Sequence, residues 1–391
     1  MSENFVLRQI VGLIDLGHEV KILARTCPAA NCIHEDVKKY DLLQKVYYIP
    51  SIPQNKIKRR LKTLAMILWG GMWHPMDMGR LLRDTLGRGL GCESLYYGWL
   101  LLGKRFDIAH GHFGPFGKIA AVIKSAGLAR RAVATFHGFD VTAYIRSHGA
   151  DVYKELFVMA DALTYNSERT AGIIRDLGAC KEKMVKIPMG IEMSSIPYRE
   201  KNIEKGQTIR ILSVGRLVEM KGRRYAIEAV ASAMENYPDI EYHIIGDGEL
   251  RAELDEQIRN SGFADRIFLH GWVTDEELDM WYRESHIFLH PSVTSSDGNQ
   301  EGQGVVLVEA QAYGLVVIAT LHGAFPETVP EGCGFLVPER DAQAILTCLK
   351  DVLATPECWP AITMQARKNA EKYEISHLNN RLEELYLDLL A

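Results

Sequence analysis

The chain has 391 residues, 47% of them hydrophobic and 24% charged, which is the composition of an ordinary globular protein with room for two domains. Seven cysteines (Cys27, Cys32, Cys92, Cys180, Cys333, Cys348 and Cys358) are scattered and odd in number, with no C-x-x-C pair. This argues against a disulfide framework or a zinc knuckle and points to a reducing, cytoplasmic setting. The formal charge of −5 hides an asymmetry: residues 1–200 carry 28 Lys+Arg against 19 Asp+Glu, and the remaining residues 17 against 31, giving +9 and −14. A basic first half suits an anionic partner such as a phosphorylated lipid or a membrane surface; no nucleic-acid partner is expected.

Short apolar runs alternate with helical stretches throughout, the mark of doubly wound α/β folds. The first half predicts a helix over Phe5–Leu16, capped by Ser2, then strands at Glu19–Ala24, Lys45–Ile49, Ile108–His110, Ala132–Phe136, Ala162–Tyr165 and Val185–Ile187. Such a half normally opens with a strand and a glycine-bearing loop, and no such strand precedes this helix; the expectation is a truncated chain or an unusual first sheet. The longest apolar run, Leu64–Trp73, is about half a bilayer span. A basic approach, Lys56, Lys58, Arg59, Arg60 and Lys62, leads into it. A buried helix is the first reading of Lys56–Trp73, with peripheral contact at the inner face of a membrane as the alternative.

The stretch Pro197–Gln207 is charged and turn-rich, so it reads as a linker. After it the pattern restarts with strands Ile209–Val214, Ile240–Ile245, Ile267–Leu269, Ile287–His290, Val316–Ala319 and Gly334–Val337. Helices Arg223–Glu235, Leu250–Ser261, Asp275–Glu284 and Val305–Tyr313 fall between them, and the tail from Ala342 to Leu390 is helical. The expected domains are 1–197, a linker 198–207, a second domain 208–375, and a final helix 376–391 that crosses back to the first.

The strongest chemical signal is DGNQEGQGVVLVEAQA, residues 297–312. Gly302, Gln303 and Gly304 form a turn into a helix, where free backbone N–H groups and the helix dipole receive anions or sugar hydroxyls. Glu301 stands in that turn, and Glu309, eight positions on, sits within reach of a ribose; the plain alternative is two surface glutamates. The second signal is SVGRLVEMKG, with Gly215, Arg216 and Lys221 at the carboxyl end of a strand, where open α/β sheets bind ligands. Arg216 offers a planar fork for a diphosphate and Lys221 a point charge; as unengaged surface cations they would matter little. Asp247 lies in a G-D-G turn, and Trp272 and Val273 in H-G-W-V, each past a strand; a nucleobase edge and a structural aromatic are the two readings of Trp272.

In the first half His137 ends a strand and, titrating near neutrality, could serve a proton relay beside the reacting sugar. Asp140 either holds the following loop or approaches the acceptor. His110 and His112 lie in a second glycine-rich turn, read as structural, with His112 kept on the acceptor side. The three histidines fit no metal-ligand spacing, and no metal is expected.

In this order and spacing SVGRLVEMKG, IIGDGEL, LHGWV and EGQGVVLVEAQAYGLVVIAT closely resemble the family-4 retaining glycosyltransferases, and HFGPFG and TFHGFDVT resemble the same family's acceptor-side motifs. The likeness runs from Glu3 to the last helix, and its flavour is that of exopolysaccharide and colanic-acid-type members. It implies a GT-B fold: two Rossmann-like, doubly wound domains facing across a cleft. It implies a metal-independent hexosyltransferase that keeps the anomeric configuration, with no cofactor beyond a UDP- or GDP-linked sugar as co-substrate. The acceptor would be a glycan or a polyprenyl-diphosphate-linked oligosaccharide. Arg216 and Lys221 would bind the diphosphate, Glu301 the sugar, Glu309 the ribose, Gly302–Gly304 would give backbone contacts, and His137 would sit by the sugar. A sugar-nucleotide epimerase of the same architecture, or a non-catalytic binding protein, are the alternatives.

Overall fold

The computed structural model describes residues 4–25, 34–87, 92–201, 203 and 206–391. Ser2, Cys27 and Cys32, and positions 202, 204 and 205 of the expected linker, lie outside them. The chain forms two compact units. One holds the residues up to Asn166, with Thr170–Pro188 and Ile375–Ala391; the other holds Ser167–Arg169 and Met189–Glu374.

In the first unit, β1 (Ile22–Ala24) and β2 (Val46–Tyr48) pair in parallel as a small sheet. A separate four-stranded parallel sheet runs in sequence order: β3 (Phe106–His112), β4 (Ala129–Phe136), β5 (Ala162–Tyr165) and β6 (Met184–Lys186). Helix Gly114–Ser125 crosses between β3 and β4 and buries Ile119, Ala120, Ala121, Val122 and Ile123. The last helix, Ile375–Leu390, belongs to this unit: its Leu382 and Tyr386 are buried with Val133, Ala162 and Ile187, and Asn379 lies against Gly12 of the helix Asn4–Asp15.

The second unit has six parallel strands, β7 (Ile209–Val214), β8 (Ile240–Ile245), β9 (Ile267–Gly271), β10 (Ile287–His290), β11 (Val316–Thr320) and β12 (Phe335–Val337). Their order is β12-β11-β10-β7-β8-β9. Both faces of this sheet are covered, so its inner strands are mostly apolar; β10 and β11 are buried at every position. Helix Asp275–Glu284 begins at a capping box between Thr274 and Glu277.

Two expectations change here. The leading stretch of the first unit ends at Pro188, not at residue 197, because Ile191, Met193 and Ile196 are buried in the second unit's core and Ile191 bridges Glu374. The helix Lys56–Trp73 exists, but it is not buried: only Met66 and Gly70 are. No helix among the described residues is long and apolar enough to cross a membrane.

Candidate functional site

In the second sheet, successive strands step outward in one direction from β7 to β9 and in the other from β10 to β12. Connections leaving β7 and β10 therefore diverge to opposite faces, opening a crevice at their carboxyl ends, the usual ligand position in such sheets. The loop after β7 carries Gly215, Arg216 and Lys221; the segment after β10 carries Ser292 and Glu301. Backbone bonds gather the strand ends: Gly215 N–H to Ile245, Leu217 N–H to Asp247, and Gly246 N–H to Gly271, at 2.8–3.0 Å. Glycine is required twice. At Gly246 (φ +126°) a Cβ would stand 2.2 Å from the Gly215 carbonyl, and at Gly222 (φ +60°) 1.9 Å from that of Pro291.

Lys221 donates to the Glu301 carboxylate, with both side chains only 12% exposed. The same oxygen accepts from Ser292 Oγ at 3.1 Å and lies 3.4 Å from His290 Nε2. Burial opposes ionisation of Glu301, but the Lys221 charge and the His290 contact outweigh it and hold its pKa well below the usual value. Burial lowers the Lys221 pKa, against the pull of Glu301, and takes His290 down to about 3. A second chain fixes the loop: Glu301 N–H donates to His322 Nε2 at 2.9 Å, and His322 Nδ1 meets Glu339 Oε1 at 2.5 Å. These bonds require the His322 proton on Nδ1. Beneath lies Arg223, 2% exposed, with Nη2 on the Val214 carbonyl and no hydrogen bond at Nε or Nη1. Arg216 is exposed at the rim and makes no ion pair among the described residues. The arrangement is one preformed ion pair, Lys221 on Glu301, at a glycine-built crevice with Arg216 exposed at its rim.

The comparisons with known proteins agree. The family model described as "Glycosyltransferase Family 4" matches residues 79–195, and "Glycosyl transferases group 1" matches residues 195–373. WcaL of Salmonella typhimurium, named for colanic acid biosynthesis, is 31% identical over 98% of this chain and 96% of its own length. The amylovoran biosynthesis glycosyltransferase AmsK of Erwinia amylovora is 31% identical over 100% of this chain and 97% of its own. This chain is a family-4 glycosyltransferase. Its fold is GT-B: the crystal structure of Anabaena HepE in complex with UDP and glucose has a TM-score of 0.70 at 16% identity, over 99% of this chain and 96% of that one.

Within this glycosyltransferase the expected donor residues lie at one sheet edge. Gly302 and Gly304 enter the helix Val305–Ala312, and Glu309 on it accepts from Tyr282 OH at 3.2 Å. Asp247 accepts from its neighbour Gly248 N–H and lies 3.8 Å from Arg251. Trp272 is 67% exposed, so it is no core aromatic, and Val273 packs partly against the core. Gln303 is expected to meet a ligand through its backbone, and its side chain is engaged elsewhere. Its amide is buried and clasps the backbone of Met189 in both directions, at 2.6 and 2.8 Å, which leaves only its main chain for a ligand.

In the first unit Asp140 is fully buried and accepts from the backbone N–H groups of Gly114, His137 and Gly138. It holds the loop and does not present a free carboxylate to an acceptor. His137 is 6% exposed, packed between Phe5 and Phe113, with Nε2 3.2 Å from His112 Nδ1. Burial takes His112 to about 4 and His137 well below its ordinary value, so neither ring is poised near neutrality as a proton shuttle. His110 bridges Tyr386 and Thr135, a structural role. No group of three or more His, Cys, Asp or Glu able to hold a metal is present among the described residues. His290, Ser292, His322, Glu339 and Arg223 were not anticipated. The only sequence signals were a histidine at the end of β10 and an arginine directly after K-G.

Proposed function

We propose that this glycosyltransferase moves a hexose, with retention of configuration and without a metal, from a UDP- or GDP-linked sugar to a glycan or polyprenyl-diphosphate-linked acceptor in exopolysaccharide synthesis. The observation that carries the reading is the Lys221–Glu301 pair at the β7/β10 divergence, with Arg216 exposed beside it. Two cations face a place where a leaving diphosphate gains charge, and cations fixed in advance stabilise that charge without reorganising. Glu301, held ionised, is an acceptor for sugar hydroxyls. A preformed site of this kind acts by position and electrostatics and needs no carboxylate pair flanking the anomeric carbon. The relatives named for colanic acid and amylovoran biosynthesis support the exopolysaccharide setting, and HepE, described with UDP and glucose, supports the donor class. Synthesis on a lipid carrier would place the work at the cytoplasmic face of a membrane.

The test is hydrolysis of a panel of nucleotide sugars, read as nucleoside diphosphate release with and without chelator. One donor should be cleaved slowly, equally in chelator, and release should fall by about 10²–10³ in Lys221→Ala. An epimerised sugar nucleotide as product, or tight binding with no release under any acceptor, would overturn the reading, as would activity restored only by Mn²⁺.

A further inference from the structure

The helix Lys56–Trp73 is amphipathic the wrong way round for a soluble surface. Asn55 caps it, accepting from the N–H groups of Ile57 and Lys58. Its inward side is narrow. Gly70 lies so close to Met78 and Leu102 that a Cβ would stand 2.4 and 2.8 Å from them, and the Met66 carbonyl accepts from Trp99 Nε1. The opposite side carries Ile57, Leu61, Leu64, Leu68 and Met72, spaced by three or four residues and hence on one face. These five are 53–70% exposed. Trp69, Trp73 and Met76 widen the patch and are more than half exposed themselves. A contiguous apolar patch of this kind marks an interaction surface.

Charge selects the occupant. Lys56, Lys58, Arg59, Arg60 and Lys62 fall within seven residues, and residues 56–73 contain no Asp or Glu. None of the five makes an ion pair among the described residues, though Lys62 donates to the Ser51 carbonyl. A second copy of this face would bring like charges together around the apolar contact. An anionic lipid surface satisfies both features: cations meet headgroups while leucines, methionines and tryptophans enter the interface.

We propose that Lys56–Trp73, extended to Met76, is the membrane-docking helix of this enzyme, lying flat on a leaflet rich in anionic lipid. The proposal deepens the lipid-carrier reading above and rests on it for its purpose, but it is tested separately from transfer.

The full chain is sedimented with phosphatidylcholine vesicles with and without phosphatidylglycerol. Two variant sets are compared, Lys56→Gln/Lys58→Gln/Arg60→Gln and Leu61→Gln/Leu64→Gln/Leu68→Gln; donor hydrolysis without vesicles confirms that each is folded. The wild type should bind the anionic vesicles. The basic set should lower partitioning by on the order of a hundredfold, taking each cation as worth about fivefold. The apolar set should also release the protein, and high salt should weaken binding. Equal binding to both vesicle types, no binding, or binding unchanged in both variant sets would overturn the proposal. So would a dimer in solution that only the leucine set dissociates, which would assign the face to a second copy. Donor hydrolysis that fails while vesicle binding holds would count against the transferase reading alone.

Discussion

The polar interiors of the two units differ in kind. At the strand ends of the second a buried charged pair dominates, Lys221 on Glu301, with Arg223 beneath and the His290 ring beside it. At the ends of β3 and β4 in the first, they are neutral rings: His110 stacks on His112 and His112 on His137, with Phe5 and Phe113 over the last. Fixed charge suits the stabilisation of a leaving diphosphate, whereas rings kept neutral by burial can hydrogen-bond but hold no proton to give at pH 7.

The largest expected effect lies in the charged site. Lys221→Ala or Glu301→Ala should each lower kcat by about 10²–10³, the scale for removing one preorganised group, with KM changing less. The double variant should cost far less than the product, because each single change strands the other buried charge. Additive losses would show that the two residues do not act as a pair.

A smaller effect separates packing from chemistry within the same loop. Gln303→Ala should cost about 1–3 kcal/mol of stability, read from denaturant unfolding, since it leaves both polar groups of Met189 without their partner. Donor KM should hold; a large change in donor preference would return Gln303 to the ligand.

The smallest effect per group concerns single buried neutral histidines, which occur in both units. His112, His243 and His286 are lowered to about 4 and His290 to about 3, in each case chiefly by burial. The unfolded chain takes up protons near pH 6.5 and the folded chain does not, so stability is full above that value. It falls as pH drops from about 6.5 towards about 4, by at most about 1.4 kcal/mol per pH unit for each ring. Unfolding free energies at pH 7, 6 and 5 check this; stability constant across that range would mean the rings are solvated.

Much of this was legible in the sequence. β7, β8 and β10 match their expected bounds because buried parallel strands read as mostly apolar runs set off by turn-forming loops. The placement of Arg216, Lys221 and Glu301 in loops past strand ends is legible because glycines punctuate those loops. The rest depended on distance along the chain. Periodicity shows that Lys56–Trp73 has an apolar face, but not which face docks, and that is settled by Gly70 against Met78 and Leu102. Gln303 turns to Met189, 114 residues earlier, and His322 reaches Glu301 only because β11 lies beside β10. The near-neutral expectation for His137 failed because two phenylalanines remove it from water.

The return of Ile375–Leu390 to the first unit makes the second unit an insertion within the first. On the ribosome, residues 189–374 can close their own core while the first unit still waits for Leu382 and Tyr386 to seat beside Val133, Ala162 and Ile187. The amino-terminal unit is thus the last to finish. A break near residue 375 would leave the second unit's six strands intact and open the first one's sheet, so damage at the far end of the chain would be felt first where the chain begins.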